Sequence, residues 1–279
     1  WIECRREVML LLPERTESPA MIGAWPVNSV QQVDALDLLR GLPSGSVDAI
    51  ITDLPYGTTA CSWDEIIPFE PMWAGVRRVL KPRGVFVTTA SQPFTSKLVM
   101  SNLKWFHQEL IWNKQHPKGF LDARRKHLDD HETILIFSNG LPAYNPQGLI
   151  PVCVKTGRNN KAGNGVYSNS KVGNPNYIQT EGNFPRSVLH FNAITNGNVH
   201  PTQKPVALYS YLIRTYTQPG DVVLDFCCGS GTTAVAAQQE NRRFIAGDQS
   251  AEYVAIARKR LAQPYTLNFM TMLEAQEVG

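Results

Sequence analysis

The sequence predicts an α/β protein built on a parallel sheet covered by helices, and three observations carry that expectation. Short β-branched runs alternate with amphipathic ones over residues 27–90, and the alternation resumes over 205–261. Glycine or proline closes the runs, as in Lys81-Pro82-Arg83-Gly84. The chain of 279 residues is 43% hydrophobic and 18% charged, the balance of a globular domain with room for one sizeable insertion.

In the first stretch, residues 31–35 and 47–52 read as strands from their apolar and β-branched side chains. Residues 35–40, Ala-Leu-Asp-Leu-Leu-Arg, read as a short helix between them. A longer helix over 69–80 ends at Lys81-Pro82, since the residue before a proline is pushed out of the helical region. Gly-Val-Phe-Val-Thr-Thr at 84–89 is a third strand, 93–102 a helix, and 107–113 and 132–138 two further strands. The later half offers a helix over 205–216, a strand over 221–226, a helix over 231–240, a strand over 243–247 and a helix over 251–261. Residues 263–279 read as one frayed helix, and the chain shows neither an internal repeat nor a low-complexity tract.

Residues 141–200 break the pattern. They hold eleven asparagines and seven glycines, and one acid, Glu181, faces five cations: Lys155, Arg158, Lys161, Lys171 and Arg186. The segment carries more positive charge than the whole chain, whose formal net charge is +3. It reads either as a loosely folded surface insertion or as a polyanion-facing module whose Arg, Lys and Asn side chains contact phosphates and base edges.

Cys4, Cys61, Cys153, Cys227 and Cys228 are odd in number and lack CxxC spacing. A disulfide framework or zinc site is therefore disfavoured, no metal is expected, and a reducing, cytoplasmic compartment fits best. The apolar run over 8–12 is far shorter than the roughly 20 residues of a membrane helix, so no membrane partner is expected. The chain opens on Trp1, with Met9 and Met21 as candidate native starts.

Two constellations carry chemistry. Residues 222–233, Val-Val-Leu-Asp-Phe-Cys-Cys-Gly-Ser-Gly-Thr-Thr, are a buried strand running into a glycine turn that opens a helix, where free backbone amides meet a ligand. No lysine completes a phosphate loop, which argues against a nucleotide triphosphatase. Asp248 ends the next strand, where an acid can accept two hydrogen bonds from ribose hydroxyls; the alternative is a surface turn acid. Asp225 ends a strand that should be buried, so amides or a ligand's cation must satisfy it. Cys227 and Cys228 read as packing residues.

The other constellation is Ile-Thr-Asp-Leu-Pro-Tyr-Gly at 51–57. Pro55 forces Leu54 to extend, so the Leu54 carbonyl and the Asp53 carboxylate can converge as acceptors for an NH2 group. Tyr56 adds a flat face for stacking, and Gly57 lets the backbone turn away. The set suits a flat heterocycle with an exocyclic amine, whereas a plain strand-ending turn accounts only for the proline and the glycine.

Asp53-Leu54-Pro55-Tyr56 resembles the DPPY-type motif of amino-methylating DNA methyltransferases. Residues 224–233 resemble their S-adenosylmethionine loop, and His200-Pro201-Thr202-Gln203-Lys204-Pro205 is similar to the segment that precedes it. The order of the three resembles the β-class, over about residues 30–261. The resemblance implies a circularly permuted Rossmann-like sheet of about seven strands with helices on both faces. Residues 27–140 would be the catalytic half, 141–199 an inserted target-recognition region and 200–262 the cofactor half, flanked by 1–26 and 263–279. It further implies S-adenosyl-L-methionine as cofactor and DNA as partner, and it allows a homodimer.

Carried over by position, the resemblance makes Asp53, the Leu54 carbonyl and Pro55 the grip on the target amine, with Tyr56 stacked on a flipped base. Asp225, Phe226, Cys227, Gly229, Ser230, Gly231, Thr232 and Thr233 would line the methionine part of the cofactor, and Asp248 would hold its ribose. His200, Thr202 and Lys204 would belong to the cofactor side, the last two near its carboxylate, and Asp34 would lie near its adenine. Lys155, Arg158, Lys161, Lys171 and Arg186 would contact DNA. Leu54, Cys227 and Gly247-Asp248 stand where the family more often has proline, phenylalanine and Ile-Glu. Adenine N6 is expected over cytosine N4, because the resembling cytosine enzymes usually begin the tetrad with serine. A nicotinamide-dependent dehydrogenase and a DNA-binding module without catalysis are the rivals from other classes, and a restriction companion and an orphan or prophage enzyme both fit.

Overall fold

The structure, a computed structural model, describes residues 20–58, 64–155, 178–194 and 203–263. The first elements are β1 (Met21–Ile22), β2 (Trp25–Pro26), β3 (Ser29–Gln32), α1 (Ala35–Arg40), β4 (Val47–Asp53) and α2 (Phe69–Val79). Next come β5 (Leu80–Ala90), α3 (Phe94–Ser101), β6 (Phe106–Lys118), a 3-10 turn at Phe120–Asp122 and β7 (Asp129–Ser138). Then follow β8 (Ile150–Lys155), β9 (Ile178–Gly182), β10 (Val188–His190), α4 (Val206–Tyr216), β11 (Val222–Asp225), α5 (Thr232–Gln239), β12 (Arg243–Asp248) and α6 (Ala251–Leu261).

Eight strands form the main sheet, in the order β10-β6-β7-β5-β4-β11-β12-β3. Neighbours from β5 through β4, β11 and β12 to β3 are parallel. β7 runs antiparallel to β5 and to β6, and β10 lies parallel to β6. Alternate side chains of one strand therefore feed two cores. Ala49, Ile51, Val85 and Val87 pack on the face covered by Leu208 and Leu212 of α4, Ala234 of α5 and Val254 of α6. Ile50 and Phe86 point the other way, to Leu38 of α1, Met72, Trp73 and Val76 of α2 and Leu98 of α3.

Local chemistry explains where these elements start and stop. The strand expected over 31–35 ends at Gln32 instead, because the Asp34 carboxylate accepts the amides of Leu36 and Asp37 at 2.8 and 3.2 Å and caps α1. α2 closes at Val79, with Met72, Trp73, Val76 and Val79 buried on one stripe. β5 begins at once, so the strand expected over 84–89 is longer by the run from Leu80.

Segment 141–199 departs most from expectation. Where no periodic structure was expected, β8 and β9 pair antiparallel and β10 joins the main sheet, bringing it to eight strands rather than about seven. β10 is three residues long and buries only Leu189, too little for a period to register in the sequence. The expectations for residues 1–19 and for the tail beyond 263 concern positions outside the described residues.

Candidate functional site

The parallel strands deliver their acids to one edge. Asp53 ends β4, Asp225 ends β11 and Asp248 ends β12, and all three line a cavity of about 500 Å³. Ligands of open α/β sheets bind at this carboxyl edge. Among the described residues, no helix is long and apolar enough to cross a membrane, and no group of His, Cys, Asp and Glu could hold a metal.

On the β11 side, the Asp225 carboxylate accepts the Thr52 hydroxyl at 2.7 Å and the Cys227 amide at 3.1 Å. Burial pushes its pKa up to about 7, against hydrogen bonds from Thr233, Thr52 and the Cys227 amide that favour the ionised form. Burial also holds the Cys227 and Cys228 thiols well above the usual range, so neither is a ready nucleophile. The turn that follows is shaped by glycine: Gly231 has φ +79°, and a Cβ there would sit 2.7 Å from that of Ala257 on α6.

Asp248 pins that turn, accepting the Gly229 amide on Oδ2 and the Ser250 amide on Oδ1, each at 2.9 Å. Each oxygen keeps a lone pair for a ligand hydroxyl. Ser230 and Thr232 are tied down from α6 and from the Lys204 backbone, with Arg260 donating to the Ser230 carbonyl at 2.6 Å and Thr232 to the Lys204 carbonyl at 3.3 Å. Phe226, Cys227, Thr233 and Asp34 line the cavity as well. These residues fit S-adenosylmethionine: three carboxylates suit a cation and a diol, and the buried Tyr209 hydroxyl, also on the cavity wall, has no hydrogen-bond partner among the described residues. The nearby Thr89 hydroxyl gives its proton to Asp53 and keeps lone pairs as acceptors.

On the β4 side, Asp53 is surrounded by donors. Oδ1 accepts the Tyr56 hydroxyl at 2.8 Å and the Thr89 hydroxyl, and Oδ2 accepts Lys204 Nζ at 2.6 Å. Burial and the neighbouring carboxylates Asp53 and Glu132 keep the Tyr56 phenol protonated, so it donates. Phe94 backs the Tyr56 ring at a centroid distance of 5.3 Å and an interplanar angle of 24°, and Lys204 Nζ lies 5.7 Å from that ring. Leu54 is buried beneath, Pro55 lines the cavity, and Asp64 accepts the Gly57 and Thr58 amides at 2.8 and 2.9 Å.

Two residues absent from the sequence-based set complete this side. Glu132 of β7 pairs with Lys114 of β6 at 2.5 Å, and its other oxygen stands 3.5 Å from Lys204 Nζ, with no hydrogen bond among the described residues. Burial alone would discharge Lys204, but Asp53 and Glu132 together hold its pKa above the usual lysine value. Glu132 is likewise held below the usual carboxylate range by Lys204 and Lys114, against the effect of burial. An acid directly before the buried run Thr133-Ile134-Leu135-Ile136 was the available signal, since a charge at the head of a buried strand needs a partner.

Of the other sequence-based site residues, Arg186 is exposed between β9 and β10, and Lys155 ends β8. Arg158, Lys161, Lys171, His200 and Thr202 lie outside the described residues.

A sheet that carries its acid-Leu-Pro-Tyr turn before its glycine turn in sequence, with both opening on one cavity, defines a circularly permuted methyltransferase of the Rossmann-like class. The profile of the DNA methylase family, which covers N6 and N4 amino-methylating enzymes, matches residues 47–259, and the chain belongs to that family. It is an S-adenosylmethionine-dependent DNA methyltransferase. It is 30% identical to the type II methyltransferase M1.MboII of Moraxella bovis over 249 residues, 82% of this chain and 94% of the relative. It is 28% identical over 264 residues to the DNA adenine methyltransferase YhdJ of Escherichia coli (strain K12), 88% of this chain and 87% of YhdJ. The crystal structure of the M1.HpyAVI-SAM complex superposes with a TM-score of 0.56 at 25% identity, over 83% of this chain and 98% of that one.

Proposed function

We propose that the protein methylates the N6 amine of adenine in DNA, acting on a base turned out of the helix. The observation that carries the proposal is Asp53, an acid at the head of the Leu-Pro-Tyr turn, lining the same cavity as the glycine turn after β11. A serine at that position would favour cytosine N4. The name of YhdJ, an adenine methyltransferase, points the same way.

The adenine amine is a poor nucleophile because its lone pair is delocalised into the ring. In the proposed site Asp53 and the Leu54 carbonyl accept the two amine hydrogens, favouring a nitrogen whose lone pair stands free. Pro55 sets that turn, and Tyr56, backed by Phe94, supplies the stacking face that offsets part of the few kcal/mol lost on unstacking the base. Bound in this cavity, S-adenosylmethionine would supply an electrophilic methyl group on a positive sulfur, with the neutral thioether as leaving group. Asp225 and the turn from Phe226 to Thr233 would hold the methionine portion, Asp248 the ribose and Asp34 the adenine end, while the proton shed by the amine leaves toward Asp53. Orientation provides most of the acceleration.

The test is transfer of labelled methyl from S-adenosylmethionine to unmethylated duplex DNA, followed by digestion and identification of the base. N6-methyladenine is expected, and Asp53→Ala should lower the rate on the order of 10²- to 10³-fold while leaving cofactor binding intact. Recovery of N4-methylcytosine would overturn the choice of base.

A further inference from the structure

We propose that the hairpin tip between β6 and β7, residues 115–127, is a DNA-contacting wedge: Phe120 and Leu121 enter the duplex beside the target base while Lys118 and Arg124 hold phosphates. The inference rests on the methyltransferase reading above and adds to it an element outside both motifs and outside the asparagine-rich segment.

Topology puts the tip at the site. β6 is antiparallel to β7, which is antiparallel to β5, so β6 runs in the direction of β4 and ends at the edge that carries Asp53. The ladder then jumps from the pair Asn113↔His131 to the pair Lys118↔Asp129, with Gln115 at φ +60°. Such a bulge re-aims the strand that carries it. Lys118 lines the cavity itself, and Gly119, at φ +86°, turns the chain into the 3-10 turn that presents Phe120 and Leu121.

Chemistry identifies the occupant. Phe120 is 67% exposed and Leu121 102% exposed, an apolar pair held in water at the end of a hairpin. Residues 115–127 hold four cations, Lys118, Arg124, Arg125 and Lys126, against one acid, Asp122; four minus one is +3, the net charge of the entire chain. Asp122 and Asp129 face Arg125 and Lys126 at 3.8 and 3.1 Å, which leaves Lys118 and Arg124 without an ion pair among the described residues. Exposed apolar side chains ringed by uncompensated cations match a polyanion that can open to admit them. A DNA duplex does so when a base leaves its stack, and wedges of Phe or Leu fill such gaps in other DNA-binding proteins.

The experiment pairs two variants with the parent on unmethylated plasmid DNA. In K118Q/R124Q, the slope of log binding constant against log salt should fall by about 2, near one unit per phosphate contact. In F120A/L121A, plasmid affinity should stay within about twofold of the parent while the turnover number for methyl transfer drops roughly 10- to 100-fold. S-adenosylmethionine affinity should match the parent in F120A/L121A, and the thermal midpoint should match it in both. Parental turnover in F120A/L121A overturns the wedge, as does a loss of turnover matched by an equal loss of plasmid affinity or by a lowered thermal midpoint. An unchanged salt slope in K118Q/R124Q removes the phosphate contacts. A parent that transfers no methyl to DNA refutes the methyltransferase reading instead, and the salt slope still reports on the hairpin.

Discussion

At the scale of single residues, the chain of charges Asp53, Lys204, Glu132 and Lys114 governs the site. In the proposed site Lys204, whose Nζ donates to Asp53 Oδ2 at 2.6 Å, competes with the target amine for that carboxylate, and the second Glu132 oxygen, 3.5 Å from Nζ, offers it another seat. Glu132→Gln removes that seat and strips Lys114 of its partner. The single-turnover rate of methyl transfer should then fall about tenfold or more with S-adenosylmethionine affinity retained, and urea titration should register a stability loss on the order of 3 kcal/mol. Parental rates would detach Glu132 from the chemistry. Asp225 makes a prediction in pH. Its folded carboxyl titrates at about 7, whereas an unfolded aspartate titrates near 3.9. Between those values the folded state holds a proton that the unfolded state has lost, so this group's contribution to stability falls as pH rises through the window and is level above it. Denaturant titrations at pH 5 and pH 8 should show Asp225→Asn lacking a loss on the order of 2–3 kcal/mol that the parent displays. Equal slopes would mean that Asp225 is ionised throughout.

At the scale of elements, the glycine turn between β11 and α5 is where backbone geometry and packing demand the same residue. Gly231→Ala combines a left-handed φ of +79° with a Cβ 2.7 Å from the Ala257 side chain, so α6 must shift away from the turn that it braces through Arg260. The expected cost is about 2–4 kcal/mol, with weakened S-adenosylmethionine binding, read by thermal unfolding and calorimetry. Gly45 is the control, because its φ is +60° with nothing within 4 Å of a new Cβ. Gly45→Ala should lose only the conformational part, about 1 kcal/mol, and leave the cofactor alone. If both variants lose the same amount, contact with α6 contributes nothing.

At the scale of the whole molecule, the main sheet and the asparagine-rich stretch are joined, because β10 extends the sheet from within that stretch. Charge on that stretch should act on DNA without reaching the cofactor cavity. Replacing Lys155, Arg158, Lys161, Lys171 and Arg186 by glutamine should flatten the salt dependence of duplex binding by up to about four units and leave S-adenosylmethionine affinity unchanged. A slope equal to the parent's would make the segment a surface insertion.

The sequence by itself determined what is local. Strand, turn and helix from Val222 to Gln239 were legible because an apolar run, two glycines and a helix-forming stretch act within a few residues of one another. The same holds for the turn after β4, where Pro55 and Gly57 constrain their own backbone. Resemblance to a family then supplied the permuted order of the halves, which periodicity alone does not contain. Only the tertiary structure decided which charges meet. Asp53 and Lys204 stand 151 positions apart, and Glu132 reaches them because β7 runs against its neighbours and brings its first residues to the edge where β4 ends. Register and strand direction depend on contacts between distant segments, so the Lys114–Glu132 pair and the short strand β10 leave almost no trace in the local pattern. The Asp34 carboxylate shows the same limit at close range: a strand and a helix cap compete for one residue, and two backbone amides of α1 settle the outcome.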